Sequence, residues 1–153
     1  MDKHRLELFS DGVFAIILTL LVLDLKVPHA DGLAGLREAT PALLVHALTF
    51  FIVGMGWVLH HRTFFIKTDI GDRLVNLSLL ALFWVTLLPF GAHIAAEHPA
   101  ESLGAFLLAT CHLAYVSTMW FVAFTDNPET FINSAPGIRA RRILQTWIML
   151  RKL

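Results

Sequence analysis

The sequence predicts an all-α, polytopic membrane helix bundle of about four transmembrane helices, and three observations carry that prediction. Apolar residues make up 56% of the 153 residues and charged residues only 16%, against about 25% charged in a soluble domain; mean hydropathy is +0.66. The apolar residues gather in four runs, at about 8–25, 41–60, 74–94 and 103–124, each near the roughly 20 residues of helix that cross a hydrocarbon core. Lys and Arg are distributed unevenly between the connections. With the N-terminus inside, Lys3, Arg5, Arg62, Lys67, Arg73, Arg139, Arg141, Arg142, Arg151 and Lys152 fall on one side, and only Lys26 and Arg37 on the other. By the positive-inside bias, this predicts a multi-pass protein of the cell membrane with both termini in the cytoplasm.

The first run organises the rest. Arg5 to Pro28 reads RLELFSDGVFAIILTLLVLDLKVP. Its uninterrupted apolar part, Gly12 to Leu23 with Thr19 inside it, spans only about 18 Å of helix. Extending the helix from Leu8 to Leu25 brings it nearer to span length and places Ser10 and Asp11 just inside the membrane. Polar and ionisable groups at that depth need partners and mark candidate functional sites. A cap at the helix N-terminus accounts for Ser10 and Asp11 equally well. Ile16, Leu20 and Leu23 lie at i, i+4 and i+7, on one face, with Thr19 beside them. On periodicity alone this is ordinary bundle packing.

The second run, Pro41 to His60, opens on a proline suited to a first helical position. Gly54 and Gly56 permit close helix approach, and Trp57 reads as an interfacial anchor. Lys26 to Thr40 is expected to be a polar connection with a short helix near LAGLRE. The third run carries Asn76 and Ser78 near its start, and Pro89 is expected to bend or end it. The fourth carries His112 and Thr118, with Tyr115 and Trp120 as belt residues. A basic, amphipathic tail, 125–153, completes a single domain spanning 1–153; its apolar stretch Ile143–Leu150 is too short to cross a bilayer.

Several function classes are excluded. Net charge is zero, so nothing points to nucleic acid. Cys111 is the lone cysteine, which rules out an intrachain disulfide and a cysteine-based zinc site. The N-terminal run lacks the small-residue cleavage site of a signal peptide. No paired carboxylates, nucleophile–base arrangement or phosphate-cradling Gly-rich loop suggests an enzyme or an ATP-driven pump, and no cofactor is implied.

Arg5, Phe9, Ser10 and Asp11 spell R-x-x-x-F-S-D, followed by GVFAI, a threonine, LLVL and a Val-Pro exit. This resembles the first helix of the transmembrane protein 175 family of potassium channels in its prokaryotic form. GMGWVLHH and LVNLSLLALFWVTLLPF resemble that family's second and third helices, extending the likeness over roughly residues 5–125. The family lacks a carbonyl-lined filter loop, and no TVGYG sequence occurs here. The resemblance implies a homotetrameric, potassium-permeable channel with passive transport, whose pore is lined by the first helices. Carried over by position, Ile16, Leu20 and Leu23 are the constriction, with Thr19 a polar contributor. Arg5, Phe9, Ser10 and Asp11 belong to an interhelical network, with His60 or His61 reaching the Ser10–Asp11 turn. The family pattern is six helices, so this chain reads as shortened at its C-terminal end. Two other readings use the same residues: a non-conducting bundle with an assembly or regulatory role, and a metal or proton transporter requiring His46, His112 and a carboxylate to converge. The partners implied by the favoured reading are K+ ions, membrane lipid and further copies of the chain.

Overall fold

The computed structural model describes residues 2–65 and 71–126. Their order is α1 (Lys3–Leu23), α2 (Gly32–Phe65), α3 (Asp72–Thr86), α4 (Leu88–Glu97) and α5 (Leu103–Asp126). Four spans are long and apolar enough to cross a membrane: α1, α2, α3 with α4 taken together, and α5.

Helix α1 begins at Lys3, five residues before the expected Leu8. The Asp2 carboxylate accepts from the His4 backbone N–H at 3.4 Å and caps the helix. Lys3 and Glu7 pair at i, i+4, an arrangement that supports a first turn outside the bilayer. The helix stops at Asp24, short of the expected Leu25.

Helix α2 differs most from expectation. The polar connection expected over 26–40 is helical from Gly32 onward, and Pro41 lies inside the helix instead of at its start. A 34-residue helix is about 51 Å long, so its first turns project beyond a core of roughly 30 Å. At that level Pro41 is tolerable. Its missing N–H frees the Arg37 carbonyl, which can face water or head groups rather than hydrocarbon. Glu38 anchors the start by accepting from the backbone N–H groups of His29 (3.3 Å) and Ala30 (3.2 Å). Gly32 takes φ +58°, a conformation natural to glycine alone.

The interruption expected near Pro89 is present. Leu87 separates α3 from α4, and Pro89 occupies the first turn of α4, where its absent N–H costs nothing. Helix α5 packs on both α3 and α4, while α1 lies on α2 and touches α3 and α4. Gly104 meets the backbone of Ala95 so closely that no Cβ fits there, which draws α4 and α5 into a tight hairpin.

The core forms where Leu6, Phe14, Ile17 and Leu21 of α1 meet Val53 of α2, Leu82 and Val85 of α3, Leu88 of α4 and Tyr115 and Met119 of α5. Tyr115 is fully buried, not a belt residue, and its hydroxyl donates to the Gly56 carbonyl at 2.6 Å. A Cβ on Gly56 would stand 3.3 Å from Tyr115 Cε1 and 3.6 Å from Phe14 Cε1, whereas one on Gly54 would meet nothing within 4 Å. Of the two glycines, Gly56 is the one that allows the helices to close. Buried hydroxyls are satisfied within their own helices: Ser10 by Leu6 O, Thr49 by Val45 O, Thr63 by Leu59 O and Ser78 by Leu74 O, at 2.7–2.8 Å. That i−4 bonding spares the core an unpaired polar group.

Candidate functional site

The candidate site is helix α1, and its faces are sharply divided. Leu6, Ser10, Phe14, Ile17 and Leu21 are buried against the rest of the chain. Turned roughly 120° away at 3.6 residues per turn is a second stripe: Arg5, Phe9, Ile16, Leu20 and Leu23. All five are exposed on the single chain, with Ile16 at 60%, Leu20 at 46% and Leu23 at 76%. The structure thus brings the three constriction candidates onto one face and assigns that face no contact within the chain's own core. Thr19 flanks it. The Thr19 hydroxyl donates to Ile16 O at 2.8 Å, so its proton is committed and its oxygen lone pairs are left to face outward.

At the end of α1 that carries Ser10, the interhelical contact comes from a residue given another role in the sequence reading. Trp57 Nε1–H of α2 donates to Asp11 Oδ1 at 2.7 Å. His61 stacks on Trp57, with ring centroids 5.8 Å apart and planes at 26°, and so supports the donor without touching Asp11 itself. His60 does not hydrogen-bond to the Ser10–Asp11 turn. It is buried between Phe14, edge-on at 5.6 Å, and Phe64, stacked at 4.7 Å, and neither ring nitrogen has a partner among the described residues. Ser10 bonds within its own helix, and Phe9 lies on the exposed stripe. Among the described residues Arg5 has no ion pair. Within one chain, then, the network implied by the motif reduces to Asp11, Trp57 and His61.

The other end of α1 is held separately. His46 Nδ1 lies 3.2 Å from the Leu21 carbonyl, and Lys26 reaches across to Glu97 of α4 at 2.7 Å. These groups border a small pocket with Asp24 and His93. His46 and His112 do not converge with a carboxylate. Among the described residues no three His, Cys, Asp or Glu side chains form a group able to hold a metal ion, which removes the geometric basis of the metal-transport reading.

Known proteins resemble this chain in sequence and in fold. The model of the family described as the endosomal/lysosomal potassium channel TMEM175 matches residues 5–89. A potassium channel of Streptomyces collinus is 35% identical over 93% of this chain and 75% of its own length. The chain belongs to the TMEM175 family. A Chryseobacterium potassium channel is 37% identical over 75% of this chain and 62% of its own length. The endosomal/lysosomal proton channel TMEM175 of Gallus gallus is 32% identical over 85% of this chain but only 30% of its own length. The crystal structure of a lysosomal potassium-selective channel TMEM175 homolog from Chamaesiphon minutus superposes with a TM-score of 0.75 at 30% identity, covering 96% of this chain and 79% of that one. The chain is therefore a multi-pass membrane protein whose relatives are ion channels and not enzymes, and it spans between 62% and 75% of the first two bacterial relatives.

In this TMEM175-family chain, Trp57 is the residue that meets Asp11, in place of the expected histidines. A signal for it existed. Trp57 and His61 are i, i+4, so they share a face of α2, and antiparallel packing of α1 and α2 brings the end of one beside the start of the other.

Proposed function

We propose that this chain is a subunit of a homotetrameric, potassium-permeable channel of the cell membrane, passive in transport, with its pore lined by the exposed stripe of α1. Ile16 and Leu20 form the narrowest ring and Leu23 a further ring beyond them. The observation that carries the reading is that stripe: from Phe9 to Leu23 its residues are apolar and exposed, and none of Phe9, Ile16, Leu20 and Leu23 belongs to the chain's own core. The names of the bacterial relatives support potassium as the permeant ion.

An apolar ring gates by narrowness and dewetting, since an ion must shed water to pass it. Such a ring provides no coordinating oxygen. Thr19, whose proton is tied to Ile16 O, would present its lone pairs beside the ring and supply the polar contribution. The ten-to-two distribution of Lys and Arg supports both termini on the cytoplasmic side. Asp11 and Trp57 would then hold the pore helix at its cytoplasmic end, and Lys26 with Glu97 at its outer end.

The test is potassium flux from liposomes containing the purified chain, beside Ile16→Asn and a chain extended through additional downstream sequence. An amide in the ring hydrates it, so Ile16→Asn raises flux and lowers discrimination between K+ and Na+. Flux unaffected by Ile16→Asn means that another face lines the pore. Flux only from the extended chain means that these helices need further ones to conduct. Absence of flux from both favours the non-conducting bundle.

A further inference from the structure

A groove of about 290 Å³ runs between α2 and α5, on a part of the molecule not used by the pore reading. Met55, Val58, Leu59 and Val116 make its walls apolar, Arg62 stands at one end and His112 lines it as well. The Tyr115–Gly56 hydrogen bond fixes the spacing of the two helices at this level, so the groove is a built feature of the packing. From Met55 to Arg62 it extends about 10 Å along the helix axis.

Arg62 is the charged residue of its lining. Arg62 lies in the last turn of α2, is exposed, and among the described residues has no carboxylate partner. His112 Nδ1 is buried with no hydrogen-bond partner among the described residues. Plain hydrocarbon in the groove would leave the Arg62 guanidinium without an anionic partner.

We propose that this groove seats one anionic glycerophospholipid, with its phosphate on Arg62 and an acyl chain along Met55, Val58, Leu59 and Val116. The charge complementarity is direct. A guanidinium at a helix end offers a planar fork to phosphate oxygens, and a cation at the edge of a span is drawn to acidic head groups. The glycerol esters of such a lipid lie deeper than its phosphate, against the apolar wall next to Arg62. A zwitterionic lipid supplies the chain and the ester but carries a balancing cation beside the phosphate, so it is held less tightly. The proposal stands whether or not α1 lines a pore.

The test uses the full chain, delipidated in detergent and titrated with dioleoylphosphatidylglycerol or dioleoylphosphatidylcholine, read by native mass spectrometry and thermal stability. The expected result is one retained phosphatidylglycerol per chain, bound about five- to tenfold more tightly than phosphatidylcholine. Arg62→Gln removes that preference and Arg62→Lys keeps part of it. Val116→Trp fills the groove without altering charge and expels the lipid, which keeps the proposal testable should Arg62→Gln fail to fold. Equal retention of the two lipids, or a phosphatidylglycerol preference that survives Val116→Trp, overturns it. So does a Val116→Cys variant in a Cys111→Ala background that cross-links to a second copy, because the groove is then filled by protein.

Discussion

Substituting Trp57 by Phe isolates the bond that joins α1 to α2 at the Ser10 end. Phenylalanine keeps an aromatic ring for His61 to stack on but removes the Nε1–H that reaches Asp11 at 2.7 Å. A hydrogen bond to a charged group is worth about 1.5–3 kcal/mol in soluble proteins. Two facts lower that figure here. Asp11 is exposed on the single chain, so water or head groups replace part of the lost contact, and measured interhelical hydrogen bonds in a membrane protein average about 0.6 kcal/mol with a maximum near 1.7. The expected cost is therefore about 1 kcal/mol, roughly a fivefold shift in the unfolding equilibrium. The assay is a double-mutant cycle of Trp57→Phe, Asp11→Ala and both together, followed by denaturant titration in mixed micelles. Each single variant loses about 1 kcal/mol from this bond and the double variant loses hardly more, which is the signature of a shared contact. A coupling energy below about 0.3 kcal/mol, within the scatter of independent sites, would refute the assignment of Asp11 and Trp57 as the brace.

Gly56→Ala should destabilise the bundle by about 1–3 kcal/mol through overpacking, because its Cβ would press on Tyr115 and Phe14. Gly54→Ala, with nothing within 4 Å, should be neutral or should stabilise by up to about 1 kcal/mol through helix propensity; thermal melts of the two variants side by side check both. Glu97→Gln breaks the link from Lys26 to α4. It should speed hydrogen exchange in the connection 24–31, with the difference from wild type shrinking at high salt as the ion pair itself is screened.

Much of this fold was open to inspection in the sequence because a bilayer imposes simple rules. Apolar runs of span length become helices, and Pro89, deep in an apolar run, interrupts one. Helix starts were harder to read. Lys3 begins α1 because Asp2 caps it, and a cap is a local hydrogen bond with no hydropathy signature. Gly32 begins α2 because Glu38 gathers the loop amides from within the helix, which hides the start behind a proline that normally marks one. That Ile16, Leu20 and Leu23 share a face followed from spacing, but that this face lies outside the chain's own core did not, because the same spacing suits ordinary bundle packing. The partner of Asp11 did not, because the relative register of α1 and α2 is set by the closeness of Gly56 to Tyr115 and Phe14, a three-helix contact with no trace in any one helix. Tyr115 illustrates the same limit. Its composition suits an interfacial belt, and only the carbonyl at Gly56 makes it a core residue.

The exposed surface of α1 is wider than a pore face alone requires, and that width carries a further consequence. Beside the stripe of Ile16, Leu20 and Leu23 lies a second exposed line, Leu8, Ala15 and Val22, spaced by seven and so nearly aligned along the helix. A helix that met only lipid would need no distinction between the two lines. A helix standing in a ring around an axis needs both, one turned toward the axis and one toward the next subunit. Ala15 is the narrow point of the second line, and small residues are what bring membrane helices close. On the proposed arrangement, Ala15→Trp should therefore separate the subunits while leaving each one folded, because Ala15 makes no part of the chain's own core. Ile16→Asn, one residue away and roughly 100° around the helix, should leave assembly intact and change conduction instead. Size-exclusion chromatography with light scattering reads the first effect and liposome flux the second. Ala15→Trp that leaves the oligomer unchanged, or Ile16→Asn that dissociates it, would assign the two lines the wrong way round.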